Sequence, residues 1–218
     1  RQAELLGGKY KSLAKGADLN PQEFFGVFQE MFALYMASGA KDKAKAALAS
    51  AKKDITGHPQ ADRFGQFLDQ LGGELNRPGI GEVMELKFTS LAGKEIDLAD
   101  MKGKVVLIDF WATWCGPCIA ELPNVLKAYE AYHDKGFEII GISLDNAKDE
   151  AKLKSFVKDK NMPWPQAFDG KGWGNALAKK FGITSIPATY LVGKDGKIVS
   201  SNLRGPALSS AVKKELGL

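Results

Sequence analysis

One stretch of the 218-residue chain carries two adjacent structural signals: VVLIDFWATWCGPC, residues 105–118. Residues 105–111 form a continuous apolar run that is rich in β-branched and aromatic side chains, which is typical of a strand buried on both faces. A helix is expected to begin near Gly116, because Pro117 lacks an N–H and therefore suits a first helical turn. Cys115 and Cys118 lie where the strand gives way to the helix.

These two cysteines are the only ones in the chain. A disulfide between residues three positions apart closes almost no loop and adds little stability, so the pair indicates chemistry or metal binding. The N-terminus of a helix stabilises a thiolate through its free N–H groups and its dipole. We therefore expect Cys115 to be the more acidic thiol and to attack first, with Cys118 resolving the mixed disulfide.

A zinc site is the structural alternative for a Cys-x-x-Cys pair. Tetrahedral zinc needs four ligands, yet the chain has no third cysteine, and His58 and His133 are distant in sequence. We expect no metal, and ordinary surface or packing roles for the two histidines.

Two carboxylates near the cysteines are candidates for proton transfer. Asp109 falls within the buried strand, where burial would raise its pKa and let it exchange a proton with Cys118. The alternative is an aspartate that faces solvent at the end of the strand. Glu121 follows Cys118 by one helical turn and could tune the second thiol, or it could be a surface carboxylate that complements the helix dipole.

The chain after Gly79 alternates between strand and helix patterns. Strands are predicted at residues 85–89, 95–98, 105–111, 137–145, 189–192 and 198–200, and helices from residue 116, at 147–160, at 173–181 and at the C-terminus. This order predicts an α/β domain over residues 77–218, with a mixed central sheet covered by helices on both sides.

Residues 1–76 have a helical pattern throughout and are predicted to form a small all-α domain. Asn20-Pro21 is a helix start signal, and an apolar stripe follows it. The stripe consists of Phe24, Phe28, Met31, Phe32, Tyr35 and Met36. We interpret it as the core of the domain or a dimer contact, with a partner groove as the alternative.

The charge distribution argues against nucleic acid as a partner. The net charge of +4 divides into +1 for residues 1–76 and +3 for residues 77–218, with no basic cluster.

No apolar run in the sequence approaches the roughly 18 residues of a membrane span. The sequence opens with Arg1, for which removal of a signal peptide or membrane anchor is one explanation.

The segment from Asp109 to Cys118 resembles the active site of thioredoxin. A second segment, FGITSIP at residues 181–187, resembles the thioredoxin loop that ends in a cis Ile-Pro bond. The pattern from Trp114 through Glu121 to Pro123 is more similar to the TlpA/ResA-like branch. The resemblance covers about residues 80–218, and it implies a thioredoxin-like fold and a thiol:disulfide oxidoreductase.

The resemblance also implies roles for individual residues and for partners. A substrate disulfide would dock against Trp114, Gly116, Pro117, Ile186, Pro187 and Gly205. Proteins of this branch are usually extracytoplasmic and tethered to a membrane, and they work without a cofactor. Electrons would come from an upstream dithiol and pass to substrate protein disulfides. The Gly116-Pro117 dipeptide resembles that of reducing thioredoxins. This similarity favours a protein that reduces substrate disulfides over one that oxidises substrate thiols.

One departure from thioredoxin concerns Asp109. Thioredoxins place a lysine near the buried aspartate, but the strand 137–145 has none. Asp109 is therefore expected to share its task with Glu121 as a coupled pair.

Two other functional classes of protein stay open as alternatives. A peroxiredoxin-like thiol peroxidase is disfavoured, because Ile108 occupies the position of its motif proline. The other is a redox-sensing adaptor without enzymatic activity.

Overall fold

The computed structural model describes residues 2–14 and 20–218. The chain divides into two compact units, the first ending at Arg77 and the second beginning at Pro78.

The first unit is helical. Its helices are α1 (Gln2–Ala14), α2 (Pro21–Ala37), α3 (Lys41–Asp54) and α4 (Ala61–Leu75). The Asn20 side chain accepts hydrogen bonds from the N–H groups of Gln22 and Glu23, which confirms the predicted start of α2. The aromatic stripe of α2 packs inside the unit: Phe24, Phe28, Met31 and Phe32 are fully buried, while Tyr35 and Met36 pack partly buried against them. The core interpretation of the stripe is therefore confirmed.

The second unit contains two sheets and four α-helices. Its strands are β1 (Lys87–Thr89), β2 (Glu95–Asp97), β3 (Val105–Trp111), β4 (Phe137–Ser143), β5 (Gln166–Phe168), β6 (Ala188–Val192) and β7 (Ile198–Ser201). The α-helices are α5 (Gly116–Tyr132), α6 (Glu150–Asp159), α7 (Ala176–Lys180) and α8 (Pro206–Leu216). β1 and β2 pair antiparallel as a hairpin, and the other five strands form the central sheet.

The central sheet has the strand order β5-β4-β3-β6-β7. β3 pairs in parallel with β4 and antiparallel with β6, and β4 pairs in parallel with β5. The predicted mixed sheet is thus confirmed, with β3 at its centre. Because α5 follows β3 directly, both cysteines lie at the carboxyl end of the central strand, where α/β proteins commonly build their sites.

Several predicted elements have different bounds in the structure, and two of these differences have a clear local cause. The strand predicted at 137–145 ends at Ser143, because the Ser143 hydroxyl and Asp145 hydrogen-bond each other beyond it. The helix predicted at 173–181 is divided into a 3-10 turn, Gly172–Gly174, and α7. The division occurs at Asn175, whose extended backbone and side-chain cap start α7.

Within residues 2–14 and 20–218, none of the helices has the combination of length and apolar character needed to cross a membrane.

Candidate active site

Cys115 and Cys118 are joined by a disulfide at the start of α5. Cys115 is the N-cap residue, and its Sγ accepts a hydrogen bond from the backbone N–H of Cys118 at 3.2 Å. Both side chains are buried, whereas Gly116 and Pro117 between them are exposed. A thiolate on Cys115 would thus lie against the free N–H groups of the helix, where negative charge is stabilised.

Asp109 lies on β3, six residues before Cys115. It is the only residue of this strand that is not fully buried. Burial of its carboxyl raises the pKa from 3.8 to about 7, while the positive charge of Arg204 lowers it and the negative charge of Glu121 raises it. A carboxyl with this pKa can both accept and release a proton near neutral pH.

Glu121 connects α5 to the loop before α8. Its Oε1 accepts a hydrogen bond from the backbone N–H of Gly205 at 2.6 Å, and its Oε2 accepts one from Asn124 Nδ2 at 3.2 Å. Gly205 has φ +53°, a conformation that other residues rarely adopt. The structure therefore brings together two residues that the sequence placed 84 positions apart.

Arg204 is a residue of this cluster that sequence reasoning missed. Its guanidinium donates hydrogen bonds to Thr189 Oγ1 at 3.0 Å, to the carbonyl of Leu203 at 2.6 Å and to the carbonyl of Pro187. Thr189 pairs directly with Asp109 across β6 and β3. Arg204 thus supplies the positive charge near Asp109 that the sequence analysis found missing from β4.

The Ile186–Pro187 peptide bond is cis, in agreement with the resemblance to thioredoxin. Both residues are half-buried and directly precede β6, the neighbour of β3 in the sheet. The Pro187 carbonyl is held by Arg204. No signal within residues 181–187 could have revealed this contact, because its partner lies 17 residues further on.

The two tryptophans of the motif have opposite environments. Trp111 is buried, and its Nε1 donates a hydrogen bond to Gln166 Oε1 at 3.0 Å. It therefore belongs to the core of the second unit. Trp114 is 45% exposed directly before Cys115, and its ring lies 6.0 Å from that of Trp173, centroid to centroid. Trp173 is a second residue near the cysteines that the sequence did not identify as part of the site.

A buried carboxylate supports the segment before Cys115. Asp145, which is fully buried, accepts hydrogen bonds from the Thr113 N–H at 3.1 Å and the Thr113 hydroxyl at 2.6 Å. The Ser143 hydroxyl donates a third bond to it at 2.8 Å. These bonds satisfy a carboxylate that would otherwise be costly to bury, and they fix the backbone two residues before Cys115.

Chemically, the cluster combines a dithiol pair, a carboxyl that titrates near neutral pH, and a fixed loop that ends in Pro187. It has the parts required for exchange between the dithiol and an external disulfide. Among the residues that the structure describes, no group of three or more histidine, cysteine, aspartate or glutamate side chains is arranged to hold a metal ion. His58 instead caps the N–H of Gln60, and His133 stacks on Tyr129.

Comparison with known protein families matches residues 81–201 to the AhpC/TSA family. The thiol-disulfide oxidoreductase ResA of Bacillus thuringiensis subsp. konkukian is 40% identical over 111 residues, which are 51% of this chain and 61% of that protein. ResA of Bacillus subtilis is 31% identical over 107 residues, which are 57% of its length. The chain thus spans less than two thirds of these curated relatives.

Solved structures give the same assignment. The thioredoxin domain of a thiol-disulfide oxidoreductase from Bacteroides vulgatus superposes with a TM-score of 0.57 and 34% identity, over 63% of this chain and 98% of that domain. A thiol:disulfide interchange protein from a Bacteroides species gives a TM-score of 0.56 with 34% identity, over 65% and 92% of the two chains. The chain therefore belongs to the AhpC/TSA family, and its second unit is similar to the thioredoxin-like domains of thiol-disulfide oxidoreductases such as ResA.

Proposed function

We propose that this protein is a thiol:disulfide oxidoreductase that reduces disulfides of substrate proteins. The observation that carries the proposal is the position of Cys115, whose sulfur caps the first turn of α5 and is bonded to Cys118. The similarity to proteins named thiol-disulfide oxidoreductase supports the same activity.

The reaction begins with the reduced dithiol. The Cys115 thiolate attacks one sulfur of the substrate disulfide, forms a mixed disulfide and releases the other substrate sulfur as a thiolate. Cys118 then attacks Cys115 Sγ, the mixed disulfide breaks, and the second substrate thiolate leaves. Two electrons pass from the dithiol to the substrate, and the protein is left with the Cys115–Cys118 disulfide.

Asp109 serves the second step. Cys118 must lose its proton before it attacks, and a carboxylate at Asp109 accepts that proton when the resolving sulfur acts. Its pKa of about 7 leaves a substantial fraction ionised at neutral pH and allows the proton to be released afterwards. Glu121 and Arg204 act on this step through their opposing charges on Asp109.

The docking surface for the substrate consists of exposed and half-buried groups around the disulfide. Trp114, Gly116 and Pro117 are exposed beside the sulfurs. Ile186 and Pro187 supply the cis loop, and Gly205 the facing loop. An extended substrate segment would lie along Ile186, as strands do when they add to exposed backbone.

Reduction of insulin disulfides tests the proposal. With dithiothreitol as electron donor, the wild-type protein should accelerate the precipitation of insulin chains, and Cys115→Ser should abolish the acceleration. A redox-sensing adaptor would show no acceleration in either form. A thiol peroxidase would consume hydrogen peroxide rapidly with the same donor; such turnover would contradict the proposal, and Ile108 at the motif proline argues against it.

We further propose that the protein works outside the cytoplasm and receives electrons from the dithiol of another protein. The chain has no third cysteine, so a thiol from another molecule must reduce the Cys115–Cys118 disulfide. Fractionation of the native host, with the redox state of the two cysteines followed by alkylation, tests this. A cytoplasmic protein reduced by glutathione alone would contradict it.

A further inference from the structure

Two exposed tryptophans stand side by side at the candidate active site. Trp114 is 45% and Trp173 is 48% exposed, and their rings are 6.0 Å apart with an angle of 55° between their planes. They belong to different segments: Trp114 precedes Cys115, and Trp173 lies in the 3-10 turn before α7. Aromatic pairs at this separation attract each other, and their outer faces stay open to solvent.

Hydrogen bonds hold Trp114 itself and the loop that carries Trp173. Trp114 Nε1 donates to the carbonyl of Leu144 at 3.3 Å. On the other side, the Asp169 carboxylate accepts hydrogen bonds from the N–H groups of Lys171 at 3.1 Å and Ala176 at 2.9 Å, and so closes the loop that carries Trp173. These contacts support both rings without covering them.

One buried residue connects the two segments. The Asp145 carboxylate binds the backbone and hydroxyl of Thr113, next to Trp114. The Asp145 carbonyl accepts the N–H of Gly172, next to Trp173, at 3.3 Å. Gly172 has φ +54°, and a Cβ there would lie 2.7 Å from Asn146 Oδ1, so the turn requires glycine. The aromatic pair is therefore preorganised, which lowers the entropic cost of binding.

The chemistry of the surroundings indicates what the pair would bind. Residues 113–118 and 172–178 contain no charged side chain. Tryptophan is enriched among the residues that dominate binding energy at protein interfaces, where it buries a large apolar area at low conformational cost. A segment that delivers its disulfide to Cys115 must pass Trp114, so the substrate is the occupant that this location favours.

We propose that Trp114 and Trp173 form an aromatic docking surface that selects substrate disulfides flanked by an aromatic or large aliphatic side chain. The inference rests on the proposed oxidoreductase function and specifies its substrate class. Trp173 is the specificity-determining residue, because it contributes apolar area without belonging to the segment that carries the dithiol.

Two peptides test the inference on the full chain. Each consists of the same two short strands joined by one disulfide, with a fluorophore and a quencher on opposite strands; they differ only in Phe or Ser beside one cysteine. Reduction separates the strands and raises the fluorescence. Single-turnover rates at increasing concentrations of pre-reduced protein give the half-saturating concentration and the limiting rate separately.

Trp173→Ala should raise the half-saturating concentration for the Phe peptide about tenfold, the equivalent of about 1.4 kcal/mol. Its limiting rate should be unchanged, and its effect on the Ser peptide should be below about twofold. Trp173→Phe should restore most of the preference. The control Ile80→Ala removes another exposed apolar side chain, 63% exposed, and should leave both peptides unaffected.

An equal effect of Trp173→Ala on both peptides, or no effect on either, would overturn the inference. So would a wild-type dimer that Trp173→Ala dissociates, since the pair would then serve self-association. Circular dichroism confirms that the variants are folded. Failure of the oxidoreductase function itself is distinguishable, because the wild-type protein would then reduce neither peptide.

Discussion

Arg204 Nη1 donates a hydrogen bond to Thr189 Oγ1 at 3.0 Å, and Thr189 is the strand partner of Asp109. The guanidinium thereby occupies a fixed place beside the carboxyl that titrates in the site. Thioredoxins, which the sequence resembles, use a lysine for this purpose, and β4 of this chain has none. The loop after β7 supplies the cation instead, and Glu121 supplies an opposing charge from α5.

Removal of the cation should raise the pKa of Asp109. Arg204→Met eliminates the charge that lowers this pKa, so we expect it to rise above about 7 by about one pH unit. NMR titration of carbon-13-labelled aspartate carboxyls measures it, with the Asp109 signal assigned from Asp109→Asn. Arg204→Lys is the matched control, because it keeps the charge and should shift the pKa less. An unchanged pKa in Arg204→Met would contradict the electrostatic role.

Neutralisation of Glu121 should have the opposite effect. Glu121→Gln keeps an oxygen that accepts the Gly205 N–H but removes the negative charge that raises the pKa of Asp109. The same titration should give a lower pKa, and the pH at which the resolving step reaches half its maximal rate should fall with it. If the pKa of Asp109 instead rose in Glu121→Gln, as it should in Arg204→Met, disruption of the loop at Gly205 and not the lost charge would control this pKa.

The buried carboxyl should also make stability depend on pH. Because the pKa of Asp109 is raised from 3.8 to about 7, the folded state keeps a proton that the unfolded state loses in this window. The free energy of unfolding should therefore decrease as the pH rises from about 4 to about 7, by on the order of 4 kcal/mol. Asp109→Asn should remove this decrease and should be more stable than wild type at pH 8.

Urea unfolding at pH 4.5 and pH 8 measures this difference. All four tryptophans, at positions 111, 114, 164 and 173, belong to the second unit, so their fluorescence reports the unfolding of the unit that contains Asp109. If wild type and Asp109→Asn lose the same stability between the two pH values, the carboxyl does not carry the effect.

Substitution of Gly141 should destabilise the central sheet. A Cβ at this position of β4 would lie 2.0 Å from Gln166 Oε1, the atom that accepts the Trp111 Nε1–H bond. Gly141→Ala would have to displace this amide, and we expect a loss of about 1–3 kcal/mol in the free energy of unfolding. Gly116→Ala is the control in the same unit, since a Cβ there would meet no atom of a non-neighbouring residue within 4 Å. Equal stability of the two variants would contradict the packing argument.

Local sequence patterns were sufficient to predict the mixed sheet and the dithiol, but they did not reveal the edge strand β5. The apolar run of β3, the Cys-x-x-Cys pair and the helix after it are adjacent in the chain, so their spacing alone shows how they are arranged. The predicted core of the first unit follows from the stripe on α2 for the same reason. The division of the helix predicted at 173–181 could have been recognised from Asn175, which is a typical N-cap residue.

The residues that the sequence analysis missed act over long separations. Arg204 contacts Thr189 and Pro187, 15 and 17 positions away, and Asp145 contacts Thr113, 32 positions away. A single arginine or aspartate in a loop has no periodic pattern. The pairing of β6 with β7 brings Arg204 to its partners, and the pairing of β3 with β4 brings Asp145 to Thr113. Trp173 was missed because exposed aromatics in short turns are not distinguished by spacing.

The order of attack by the two cysteines is the central claim, and trapping of mixed disulfides tests it most directly. Reduced Cys118→Ala and Cys115→Ala proteins are each incubated with a disulfide-bonded substrate protein, and covalent adducts are identified by mass spectrometry. The account predicts a stable adduct through Cys115 in Cys118→Ala and little or none in Cys115→Ala. Accumulation of the adduct through Cys118 in Cys115→Ala, with none in Cys118→Ala, would contradict it.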